Sequence, residues 1–192
     1  LNLSSQSVAA AESAIIELFG KEYAQRRVFK TKSKGAQEAH EAIRPTDPGK
    51  SPDSLTFKEL RSKKLYDLIW RRFIASQMTP AVFNGMTVEI QADAYIFKAT
   101  GQTLKFPGFL KVYSLTFEET ELPPLEKGDR LDMLSLAPVQ HFTQPPPRYT
   151  EATLIKTLEA YGIGRPSTYA PTLSTVQERG YVEKDEQRRF KP

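Results

Sequence analysis

The chain has 192 residues, no cysteine and a formal net charge of +4, which allows one large or two to three small domains and excludes disulfides and thiolate zinc sites. No apolar run approaches the roughly 20 residues of a membrane span, so no membrane partner is expected and a cytoplasmic location is the default. Charge is uneven, with 14 Lys/Arg against 9 Asp/Glu over residues 1–80, 5 against 8 over 81–147 and 8 against 6 over 148–192; two basic ends around an acidic middle permit nucleic-acid binding, as they permit an ordinary solvated surface.

Leu1-Asn2-Leu3-Ser4-Ser5 reads as the approach and cap of a helix running to about Phe19, with Val8, Ala11, Ile15 and Leu18 on one face and Gly20 as its stop. No initiator methionine precedes it, and the chain is expected to be cut from something longer. Lys21 to Lys34 is basic and polar, an expected exposed loop. Within Gln37 to Asp47, Pro45 disfavours helix at Arg44, so a short helical turn is expected to end there and expose the arginine. His40 has carboxylates on both sides in sequence. It suits either a structural hydrogen bond or, as a cation, a place beside phosphate.

Pro48, Gly49 and Pro52 break the chain. A helix then runs to about Met78, with Leu65, Ile69 and Phe73 as its stripe, Tyr66 and Trp70 bordering it, and Trp70 read as core. From Ala81 the period becomes two: Val88, Ile90 and Ala92, then Tyr95, Phe97 and Ala99, read as half-buried antiparallel strands. Further strands are expected at Val112–Phe117, Leu131–Leu136 and Val139–Thr143. Gln144-Pro145-Pro146-Pro147 reads as a stiff extended linker.

The most informative stretch is Tyr149 to Val182. Thr150 is a good N-cap, and Leu154, Ile155, Leu158 and Tyr161 recur at helical spacing. Gly162 and Gly164 form a corner, and Ser167 and Thr168 are each able to cap a second helix with Tyr169, Leu173 and Val176 on its apolar face. Pro171 fits that helix only in its first turn, and Gly180 ends it. Glu183–Gln187 and Arg188–Phe190 read as a turn and a short strand, a winged-helix-like ending. The hydroxyls, Arg165 and a helix N-terminus make this corner a phosphate receptor. There is no nucleophile–base–acid arrangement, no acidic cluster at metal-ligand spacing and no P-loop.

Gln37-Glu38-Ala39-His40-Glu41-Ala42-Ile43-Arg44-Pro45 closely resembles a signature of the type IA DNA topoisomerases. Arg148-Tyr149-Thr150-Glu151-Ala152, continuing through Gly162-Ile163-Gly164-Arg165-Pro166-Ser167-Thr168-Tyr169-Ala170 to Arg179-Gly180-Tyr181-Val182, resembles a second. Ile69 to Met78 and Gln140 to Thr143 are also similar to that family. The resemblance implies an α+β multidomain fold, part of a toroid: residues 1–80 the later part of the helical gate domain, 81–146 a β-rich hinge segment, and 147–192 the start of the helical DNA-binding base.

It also implies ATP-independent relaxation of negatively supercoiled DNA through a 5′-phosphotyrosine intermediate, strand passage and religation. His40 and Arg44 map beside the active site as supporting residues. Arg165, Ser167, Thr168, Tyr169 and Arg179 map onto contacts with DNA, chiefly single-stranded. The family's Tyr-x-Arg-Thr-Asp-Ser motif does not occur in the sequence, nor does its acidic Toprim domain with Mg²⁺. The expectation is an interior fragment that binds DNA without catalysis, holds no metal or cofactor of its own, and associates with itself through an incomplete hinge sheet; the location implied is the nucleoid. The competing readings are a non-catalytic winged-helix DNA-binding module, which has no need of Gln37–Pro45, and a β-scaffold interaction protein, which leaves both signatures unexplained.

Overall fold

The structure, a computed structural model, describes residues 3–28 and 41–192. They fall into two compact units, 3–28 with 41–129, and 130–192.

In the first unit, helix α1 spans Ser5–Phe19. The Ser4 side chain accepts the Ser7 amide, and the chain leaves helix at Gly20 with φ 106°. Val8, Ala11 and Ile15 are buried as expected, whereas Leu18 is exposed. A 3-10 turn, Lys21–Tyr23, then sends Tyr23 inward. Helix α2 spans Leu60–Ser76. Its buried side chains are Trp70, Phe73 and Ile74, with Tyr66 packed against the same core, while Leu65 is exposed. The buried face is therefore turned about one position from the expected Leu65–Ile69–Phe73 stripe. The indole explains the turn: Trp70 Nε1 donates to the Pro48 carbonyl at 2.8 Å and Tyr66 Oη to the Lys50 carbonyl at 2.8 Å, so the largest ring is buried with its polar atom satisfied. Trp70 is core, as expected.

The core gathers Ala11, Ile15, Tyr23, Trp70, Phe73, Ile74, Met78 and Val112. Gln77 is buried beside it and ties two segments together. Its side chain accepts the Arg27 amide at 3.1 Å and donates to the Arg27 carbonyl at 3.3 Å, while its carbonyl accepts the Gln25 amide at 3.0 Å. A buried amide used on both ends contributes stability instead of costing it.

Strands β1 (Val82–Ala92) and β2 (Tyr95–Phe106) form an antiparallel hairpin pairing Val88 with Ala99 and Ile90 with Phe97. Its two-residue turn uses Asp93 at φ 54°, a conformation aspartate tolerates. Met86, Val88 and Ile90 are half-buried on one face, but Tyr95 and Phe97 are exposed. None of the other expected strands forms: Val112–Phe117, Leu131–Leu136 and Val139–Thr143 are irregular. Alternation supplies a face, but a strand also needs a neighbour for its hydrogen bonds. Among the described residues these segments have only the isolated Gln102–Thr120 bridge nearby. Leu134 and Phe142 remain exposed.

The second unit contains helix α3 (Glu151–Ala160), helix α4 (Pro166–Glu178) and the short hairpin β3 (Glu183–Lys184) with β4 (Phe190–Lys191). Leu173 and Phe190 are its buried apolar side chains. The Phe190 amide donates to the Tyr149 carbonyl at 2.7 Å, and Lys184 Nζ meets Glu151 at 2.6 Å, fastening the hairpin to the start of α3. Among the described residues no helix is long and apolar enough to cross a membrane. The architecture is α+β, with four α-helices and two small antiparallel sheets among the described residues.

Candidate nucleic-acid interface

The corner of the second unit is built by its caps. Thr150 Oγ1 accepts the Thr153 amide at 3.2 Å and Thr153 Oγ1 accepts the Thr150 amide at 2.8 Å, a reciprocal box that starts α3. At the other end Gly162 has φ 70°, its amide reaches the Glu159 carbonyl, and the Ile163 amide reaches the Leu158 carbonyl at 2.9 Å. These bonds satisfy the carbonyls that end a helix. Helix α4 ends the same way at Gly180, with the Tyr181 amide on the Val176 carbonyl at 3.0 Å.

Between these ends lies Gly164-Arg165-Pro166. Gly164 has φ +78°, and a Cβ placed there would stand 3.0 Å from Tyr169 Cε1 and 3.3 Å from Thr168 Oγ1. The position is closed to side chains twice over, by backbone angle and by the Tyr169 ring. The N-cap of α4 is Arg165, and not Ser167 or Thr168 as expected. Pro166 takes the first helical position because its fixed φ suits it. Thr168 then sits a turn inside and acts backwards, its Oγ1 accepting the Arg165 amide at 2.8 Å.

Pro171 also departs from expectation, since it lies inside α4 beyond the first turn. Its ring removes the donor that the Ser167 carbonyl would otherwise meet.

Arg165, Ser167 and Thr168 are exposed and Tyr169 is half-buried, all in the first turns of α4. The guanidinium of Arg165 donates to the Gly164 carbonyl at 2.8 Å, which holds it over the corner. Arg179, at the C-cap of α4, lies about 20 Å along the helix from Arg165 at 1.5 Å per residue. The structure thus gathers four of the five residues and sets Arg179 apart, at the end where a helix dipole favours a cation. In the turn between β3 and β4, Asp185 accepts the amides of Gln187 and Arg189 at 3.0 and 2.8 Å and the Arg189 guanidinium at 2.8 Å. These bonds, the Arg189 amide foremost, hold its carboxyl below the usual range.

The first unit carries the other signature. His40 lies outside the described residues. Residues 41–45 contain no helical turn, and Arg44 is half-buried instead of exposed, because Glu41 takes it: Nε donates to one Glu41 oxygen at 2.8 Å and an Nη to the other at 3.0 Å. Glu41 also accepts the Ser4 amide at 2.9 Å and the Ser7 hydroxyl at 3.3 Å. The Arg44 pair first, and then the Ser4 amide, depress the Glu41 carboxyl from 4.5 to about 2, and the same pair raises the Arg44 guanidinium.

Sequence reasoning did not single out Glu41. Two carboxylates flank His40, and spacing does not say which one finds the arginine. Nor did it find the groove of about 750 Å³ beside the signature, whose lining among the described residues includes Val28, Ile43, Leu68 and Ile69, with Arg27 and Arg72 as its charged members. Arg72 approaches Tyr113, 3.4 Å from its hydroxyl and 5.7 Å from its ring centroid. Among the described residues no group of three His, Asp or Glu side chains is placed to hold a metal ion.

The family model described as DNA topoisomerase matches residues 2–192. DNA topoisomerase 1 of Vibrio cholerae is 48% identical over 193 residues, spanning 98% of this chain and 22% of that protein. Full-length topoisomerase I from Thermotoga maritima, in its monoclinic crystal form, is similar in structure with a TM-score of 0.80 and 36% identity, over 99% of this chain and 31% of that one. The chain thus spans less than a third of the length of either relative. With a family match across virtually every residue and both signatures in place within it, the chain belongs to the type IA DNA topoisomerase family.

Proposed function

We propose that these 192 residues are the part of a DNA topoisomerase that grips the strand while cleavage and religation take place on residues the sequence does not contain. The observation that carries this is the corner Gly164–Tyr169: an exposed helix N-terminus, an exposed arginine held over it by the Gly164 carbonyl, and the exposed Ser167 hydroxyl beside it, while Thr168 is bonded back to Arg165 and shapes the turn. Such a set neutralises and orients phosphate and reads no base, which suits an enzyme acting on single strands of any sequence.

The parent reaction is relaxation of negatively supercoiled DNA. A tyrosine oxygen attacks a phosphodiester, the 5′ phosphate passes to that oxygen and the 3′ hydroxyl leaves; reversal of the step reseals the strand, so bond energy is conserved without ATP. Donors pre-aimed at phosphate stabilise the charge that develops on its oxygens. His40 and Arg44 support that site, and Arg165, Ser167, Thr168, Tyr169 and Arg179 bind DNA. Mg²⁺ belongs to the acidic domain of the longer enzyme and has no ligand set among the described residues.

Residues 1–80 then serve the gate, 81–146 the hinge and 147–192 the base, within a nucleoid-associated cytoplasmic enzyme. The hairpin edges of β1 and β2 offer a second copy of the chain a pairing surface. A winged-helix regulator is not favoured, because the similarity runs the length of the chain and includes the Gln37–Pro45 signature.

The purified chain is expected to bind oligo-dT in preference to duplex and to leave supercoiled plasmid unrelaxed. With about three phosphates neutralised, log affinity falls against log salt with a slope near −2, at roughly −0.7 per contact. Arg165→Ala lowers affinity about equally for all sequences and flattens the slope by about 0.7. Site-specific duplex binding, or relaxation by the chain alone, would overturn the reading.

A further inference from the structure

Each of the three guanidinium nitrogens of Arg44 makes a hydrogen bond within the protein. Two meet Glu41, and the third donates to the Pro45 carbonyl at 3.3 Å. Glu41 is loaded from a second direction by Ser4 and Ser7 at the start of α1, so one carboxylate joins the first turn of a helix to a segment 37 residues further on. Ala42 and Ile43, the two residues bracketed by the pair, line the groove that holds Arg27 and Arg72. A charged pair in contact with solvent is ordinarily a weak device. This one is a bidentate fork with a backbone amide on the same carboxylate, which fixes geometry as well as charge.

We propose that Glu41 is a positioning residue: it clamps Arg44 to the N-terminus of α1, and Arg44 supports the site by holding the signature backbone and the groove wall in place, without itself touching phosphate. Only the consequence for DNA rests on the topoisomerase reading, since the clamp stands on its own geometry.

The test uses the full 192-residue chain and two readouts. The first is hydrogen exchange of the Ser4 amide, whose acceptor is Glu41, measured by NMR without DNA. Glu41→Gln and Arg44→Lys both accelerate it, because lysine keeps the charge but cannot form the fork; unchanged exchange in both variants overturns the clamp. The second is the salt dependence of oligo-dT binding by the charge-neutral double variant Glu41→Gln/Arg44→Gln. A slope equal to that of the unaltered chain is expected, and a slope flatter by about 0.7 makes Arg44 a phosphate contact and overturns the proposal. Should the unaltered chain bind no oligo-dT, the DNA reading fails while the exchange experiment still decides the clamp.

Discussion

At the scale of single residues, the two signatures use arginine in opposite ways. Arg165 lies exposed over a helix N-terminus, while the half-buried Arg44 is paired to Glu41 of its own loop. The difference has a pH consequence. The folded chain binds the Glu41 carboxylate in its ionised form, so its carboxyl falls from 4.5 to about 2. Between those values the unfolded chain holds the proton and the folded chain does not. The stabilisation is therefore complete above about 4.5 and is lost as pH falls through about 2. An NMR titration of the Glu41 side-chain carbon should show its midpoint well below 4.5, with the protection of the Ser4 amide, taken relative to the intrinsic exchange rate at each pH, high at pH 4 and lost toward pH 2.

The caps at Ser4, Gly20, Thr150 and Gly180 were legible in the sequence because each is decided within four residues. The Glu41 clamp was not: two carboxylates lie near Arg44 in sequence, and the anchor that picks out Glu41, the Ser4 amide, is 37 residues away.

At the scale of elements, the helices were legible as lengths but less so as faces. In α2, a stripe through Leu65, Ile69 and Phe73 and another through Tyr66, Trp70 and Phe73 have nearly the same period. The contest between them was settled by carbonyls at Pro48 and Lys50 that no periodicity displays. The missing strands between Val112 and Thr143 failed for a related reason: alternation is local, whereas pairing needs a partner. In α4 a proline sits where the helix loses a bond. Pro171→Ala restores a donor for the Ser167 carbonyl and should stabilise α4 by about 1–3 kcal/mol, seen as slower amide exchange from Tyr169 to Val176.

At the scale of the whole molecule, the two units differ in how they are held. The first has a continuous core around Trp70 and Ile15, whereas buried apolar side chains in the second are Leu173 and Phe190. The hairpin of β1 and β2 leaves Tyr95 and Ile96 exposed, at 72% and 69%. Unpaired strand edges beside apolar side chains invite another copy. Light scattering of the purified chain should therefore show mass rising with concentration, and Ile96→Lys should suppress the rise; a constant monomer mass at high concentration would exclude this association.

The paired helix endings of the second unit bear on what the corner can accept. Two helix termini of opposite polarity converge on Gly162–Arg165: the carbonyl end of α3 and the amide end of α4. The amides of Gly162 and Ile163 consume the α3 carbonyls, and Thr168 reaches back only to the Arg165 amide and carbonyl. The carbonyls of Leu158, Glu159, Gly164 and Arg165 are bonded internally while the cationic Arg165 stays at the surface. Under the function proposed above, such a corner favours an anionic backbone over a cation, whatever the bases that backbone carries.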